Sequence, residues 1–125
     1  MTFDSTTCSS NIATLNGGCV YYIETGTQTL TVLITLTTGG AGTSIWNSNS
    51  ASSNGGIFYL SCPQAITVTV PSSTLSSNTA GSNGGGFYMV SPAVITGTFT
   101  SDTLSATAST SGGFIYVPSS VGCST

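Results

Sequence analysis

Asn54-Gly55-Gly56-Ile57-Phe58-Tyr59-Leu60 is the stretch that decides how this chain folds. It recurs in altered form as Asn16-Gly17-Gly18-Cys19-Val20-Tyr21-Tyr22, as Asn83-Gly84-Gly85-Gly86-Phe87-Tyr88-Met89 and as Ser111-Gly112-Gly113-Phe114-Ile115-Tyr116-Val117. The leading glycines Gly17, Gly55, Gly84 and Gly112 are 38, 29 and 28 residues apart. Self-similarity at this period marks stacked repeats, because one such unit cannot bury its apolar face alone. Within the segment after Gly-Gly, side chains alternate between two faces, as in a strand. Val20, Phe58, Phe87 and Ile115 then form one apolar column, and Tyr22, Leu60, Met89 and Val117 a second. Tyr21, Tyr59, Tyr88 and Tyr116 lie between them and are expected to face outward, either open to solvent or covered by residues 33–45. With the strand shifted by one residue, they would instead lie inside, hydroxyls bonded at a corner.

Further motifs keep step with these markers. Thr29-Leu30-Thr31-Val32, Thr67-Val68-Thr69-Val70 and Thr96-Gly97-Thr98-Phe99 each begin twelve residues after their glycine. An apolar residue follows five positions later: Phe3 to Cys8, Val70 to Leu75 and Phe99 to Leu104. Val32 to Trp46 is longer, which puts a nine-residue insertion within residues 33–45. Three residues on comes an asparagine, giving Asn11, Asn49 and Asn78; the last repeat has Ala106 there and is one residue short. Gly-Gly supplies positive φ at a corner, and Asn both tolerates the left-handed region and bonds nearby backbone. The pattern predicts an all-β chain, a parallel β-solenoid of four coils, three of 28–30 residues and one of 38, with a stacked ladder of Asn11, Asn49 and Asn78 in one turn.

The pieces Cys8-Ser9-Ser10-Asn11, Trp46-Asn47-Ser48-Asn49 and Leu75-Ser76-Ser77-Asn78, each followed by Gly-Gly and an apolar strand, resemble the FxxN and GGA[ILV] repeats of chlamydial-type polymorphic outer membrane proteins. The resemblance covers nearly the whole chain, although no Phe leads the first motif and Cys, Ile, Gly or Phe replaces the Ala of the second. It implies a right-handed parallel β-helix displayed at a cell surface, often adhesive.

The chain starts and stops partway through a coil. Thr125 followed by Met1 of a second unit would read Thr-Met-Thr-Phe, restoring the threonine motif and a 30-residue spacing across the join. The 125 residues are therefore expected to be one unit that continues head to tail into a filament or a longer tandem chain, with Met1, Thr2, Phe3, Val117, Cys123 and Thr125 at the junction. Without a capping helix, an end that pairs with an identical start is favoured, and such a heterologous contact gives open filaments.

Composition limits the chemistry available. There is no Lys, Arg or His, and the acids are Asp4, Glu24 and Asp102, against roughly 25% charged residues in ordinary domains. Imidazole bases, amine nucleophiles and oxyanion-holding cations are absent, so an enzyme is not expected. Nucleic-acid binding and electrostatic membrane attachment fail on the same ground, and no apolar run is long enough to span a bilayer. Met1-Thr2-Phe3-Asp4 lacks the basic and apolar regions of a secretory signal. Cys8, Cys19, Cys62 and Cys123 form no CxxC pair and have no His beside them, so disulfides or buried thiols are expected, with no metal or cofactor and the pairing open. Disulfides and uncharged polarity suit an extracellular or cell-surface setting. Two outer faces could bind. Thr29, Thr31, Thr67, Thr69, Thr96 and Thr98 resemble the ice-binding rows of some solenoid antifreeze proteins, although Thr is also an ordinary outward strand residue. The tyrosine column could stack on glycan rings.

Overall fold

The computed structural model describes residues 2–4, 6–25, 32–37, 44–61, 65–71, 73–90, 94–100 and 103–118. Met1, Thr29, Thr31, Cys62, Asp102, Cys123 and Thr125 lie outside them. The described residues form strands, turns and bends, with no helix. The first repeat supplies β1 (Thr2–Asp4), β2 (Thr7–Ser9), β3 (Ile12–Ala13) and β4 (Val20–Ile23). The second supplies β5 (Val32–Thr37), β6 (Ile45–Asn47), β7 (Ser50–Ala51) and β8 (Phe58–Ser61). The third gives β9 (Ala65–Pro71), β10 (Thr74–Ala80) and β11 (Phe87–Val90), and the fourth β12 (Val94–Thr100), β13 (Thr103–Ala108) and β14 (Ile115–Tyr116).

These strands make three parallel sheets, each taking its strands from successive repeats. One runs β1-β5-β9-β12 and another β4-β8-β11-β14. In the third, β2 and β3 pair with β6 and β7, which both pair with β10, itself paired with β13. Equivalent residues of different repeats therefore stand directly opposite one another. Val20, Phe58, Phe87 and Ile115 align, as do Cys8, Trp46, Leu75 and Leu104. The missing residue of the last repeat is absorbed between Leu75 and Asn78, so that Asn78 faces Ala106.

One register differs from the spacing argument. Leu33 faces Thr67 and Thr35 faces Thr69, so Thr29 and Thr31 are not the partners of those threonines. Part of the insertion precedes β5 instead of all of it following. Thr2 faces Thr35 and Phe3 faces Leu36, giving a column Thr2, Thr35, Thr69, Thr98.

The corners show how glycine is used. The first glycine of each pair has φ of 66, 68, 63 and 63° at Gly17, Gly55, Gly84 and Gly112. The second meets a different demand: a Cβ on Gly56 would collide with the Gly85 carbonyl oxygen of the next repeat. At the other corner the left-handed residue is not the asparagine. Ser10, Ser48 and Ser77, each just before it, have φ of 59, 55 and 56°.

Burial follows position in the stack. Among the described residues Trp46, Ile57, Phe58, Leu60, Ile66, Val68, Val70, Leu75, Phe87 and Met89 form the buried core, and all belong to the second and third repeats. Phe3, Cys8, Cys19, Val20 and Tyr22 on one side, and Phe114 and Val117 on the other, are only partly buried against it. Inside, Phe58 and Phe87 stack at 4.8 Å, with Phe3 and Phe114 meeting the pair edge-on. Trp46 lies flush in the same core, its Nε1 without a hydrogen-bond partner.

Candidate functional site

The strongest polar constellation is the asparagine corner. The left-handed serine turns the chain out of regular ladder pairing, and the next N–H needs a new acceptor. Asn11 N–H and Asn49 N–H find it in the side chain of the next repeat, at 3.2 Å to Asn49 Oδ1 and 3.0 Å to Asn78 Oδ1. The side-chain amides continue the chain: Asn11 Nδ2 donates to Asn49 Oδ1 at 3.0 Å, and Asn49 Nδ2 to Asn78 Oδ1 at 3.1 Å. Asn49 Nδ2 also donates to the Cys8 carbonyl at 2.9 Å, and Asn78 Nδ2 to that of Trp46 at 2.8 Å. All four hydrogen-bonding positions of the buried Asn49 side chain are thereby filled.

A second ladder, not anticipated from the spacing, is built from the asparagines before Gly-Gly. Asn54 Nδ2 donates to Asn16 Oδ1 at 3.2 Å, and Asn83 Nδ2 to Asn54 Oδ1 at 3.1 Å. Donation here runs from later repeats to earlier ones, opposite to the first ladder. The signal lies in the constant position of Asn16, Asn54 and Asn83 immediately before each Gly-Gly, but Asn-Gly is so common a turn pair that the position alone does not distinguish a ladder from a turn.

Tyr21, Tyr59, Tyr88 and Tyr116 stand on the face opposite the core residues Phe58, Leu60, Phe87 and Met89. Their rings stack at centroid distances of 5.0, 5.2 and 5.4 Å with interplanar angles of 22, 12 and 22°. Each inner ring has both faces covered by its neighbours, so the column offers ring edges and hydroxyls outward rather than open π-faces. Burial, followed by the facing Tyr21 and Tyr88 phenols, pushes the Tyr59 hydroxyl above its ordinary pKa; burial and then Tyr116 do the same for Tyr88. Tyr22, the remaining tyrosine, is on the other side of its strand, partly buried against the core, with its hydroxyl donating to Glu24 Oε2 at 3.2 Å.

The threonine face is narrower than expected. Thr96 and Thr98 are exposed, Thr67 and Thr69 half-buried, and they pair in register. The Thr67 column ends at Leu33, so only the column through Thr69 continues as threonine. Cys8 and Cys19 are joined by a disulfide across the partly buried side of the first repeat. Of the expected junction residues, Phe3 packs edge-on against Trp46 at 5.1 Å and Val117 packs against the core. Among the described residues no group of three or more His, Cys, Asp or Glu comes together.

Comparison with family models, with characterised proteins and with solved structures finds no match.

Proposed function

We propose that the chain is a right-handed parallel β-helix with a structural role, one unit of an extracellular or cell-surface filament in which identical units stack end to end. The carrying observation is the gradient of burial. Among the described residues the full core comes from the two middle repeats, while the large exposed apolar side chains gather on the outer two: Ile12, Leu15, Tyr21 and Ile23 in the first, Leu104 and Ile115 in the last. Burying these faces at roughly 25 cal/mol per Å² of apolar surface needs another repeat of the same shape. An identical unit supplies it for the columns that are alike in kind at the two ends: Cys8 with Leu104, Val20 with Ile115 and Tyr21 with Tyr116. Open strand edges of this sort are strong templates for pairing. The right hand follows the strong preference of parallel crossover connections. A disulfide together with an uncharged Ser/Thr/Gly-rich surface favours an oxidising exterior. The covered tyrosine faces and the single continuous threonine column argue against glycan stacking and a broad ice-binding plane as the main role.

Electron microscopy of concentrated protein tests this reading. Expected are unbranched filaments with an axial repeat of about 19 Å, four strand spacings of about 4.8 Å each. Monodisperse particles at high concentration would refute it.

A further inference from the structure

The tyrosine ladder has a chemistry beyond packing. Tyr21 faces Tyr59, Tyr59 faces Tyr88, and Tyr88 faces Tyr116, each pair in parallel register. Equivalent ring carbons of neighbouring phenols are therefore level with one another along the stack, at centroid distances of 5.0–5.4 Å. Tyr21 is 55% exposed and the other three are half-buried on an outward face, so an oxidant can reach them and the rings can swing toward solvent. Among the described residues, competing electron donors are shielded: Trp46 is 0% exposed, Met89 1%, and Cys8 and Cys19 are already oxidised to a disulfide.

We propose that this ladder is an oxidative cross-linking site, where an oxidant of the peroxidase class, using hydrogen peroxide, joins adjacent tyrosines covalently. Each of two facing phenols gives up one electron and its hydroxyl proton, leaving two neutral tyrosyl radicals. The radicals couple through a new bond between ring carbons ortho to the oxygens. The hydrogens displaced from those carbons return to the oxygens, restoring both phenols. The two electrons and two protons removed reduce one peroxide to two waters. Each link ties one repeat to the next. In the filament, Tyr116 of one unit would stand beside Tyr21 of the following one, so the same reaction would join units; this clause alone rests on the proposed function.

The full chain at low concentration, treated with peroxidase and hydrogen peroxide, tests the site. Dityrosine fluorescence is expected from monomeric protein, with a mass loss of two hydrogens per link. Peptides from a protease that needs neither Lys nor Arg are expected to map links between Tyr21 and Tyr59, Tyr59 and Tyr88, or Tyr88 and Tyr116. The double variant Tyr59→Phe, Tyr116→Phe keeps the rings stacked but leaves no two neighbouring tyrosines in the ladder, and its intramolecular dityrosine should fall to background. Tyr22→Phe should leave the yield unchanged. Wild-type yield in the double variant, links through Tyr22, or no intramolecular link in the wild type would each overturn the proposal. If intramolecular links form but concentrated protein yields none between Tyr116 and Tyr21, the filament reading fails and the ladder site stands.

Discussion

Asn78 shows how much one side chain can carry. It accepts from the Asn49 N–H and Nδ2 and donates to the Trp46 carbonyl, all buried. Asn78→Ala strands those three groups at once, and an expected loss of about 3 kcal/mol or more, read from denaturant midpoints, follows from the desolvation each then suffers. Asn11→Ala, on an exposed residue at the end of the same ladder, is expected to lose less than about 1 kcal/mol. Asn11, Asn49 and Asn78 could be found from spacing alone, because a buried amide recurring in register has few other uses. The left-handed residue could not be placed so well. Serine is disfavoured there by roughly 1–2 kcal/mol, and what offsets this is the amide contact between repeats, which no local stretch of sequence reveals. The unpartnered Trp46 Nε1 was equally invisible, since only packing decides what surrounds a buried indole.

At the scale of strands, the tyrosine ladder ties stability to alkaline pH. Its inner phenols hold their protons above the ordinary value of about 10 in the folded protein. Their contribution to stability is therefore complete below that value and is lost as pH rises through the folded pKa. Unfolding midpoints measured across the phenol range should fall on the alkaline side, and Tyr59→Phe with Tyr88→Phe should flatten the fall. The disulfide acts at the other strand corner of the first repeat. Reduction, or Cys8→Ala with Cys19→Ala, is expected to lower stability by about 2–3 kcal/mol for a loop this short. Strand existence was legible throughout because alternation and spacing agree. The position of β5 was not, for a specific reason. A four-residue slide preserves parity, so Leu30, Val32 and Ile34 alternate with threonine or leucine in either register, and the pattern alone cannot choose.

For the whole molecule, the near absence of charge sets how assembly responds to solution conditions. With no basic residue and three acids, screening has little to act on. Filament yield by light scattering should be the same at low ionic strength and at about 1 M sodium chloride, where the Debye length shrinks to about 3 Å. A steep salt dependence would point to an electrostatic contact that the sequence does not supply. The repeat number and the parallel stacking are readable from the recurrence of Gly17, Gly55, Gly84 and Gly112; what the outer repeats meet is not, because that depends on a neighbour rather than on the chain. The two asparagine rows bear on growth in a further way. Their amide dipoles point in opposite senses along the stack. The first three repeats thus contribute pairs of vectors that largely cancel, the fourth, with Ala106 and Ser111 in those rows, adds neither, and lengthening the column accumulates no side-chain dipole moment at its tips to resist the next addition.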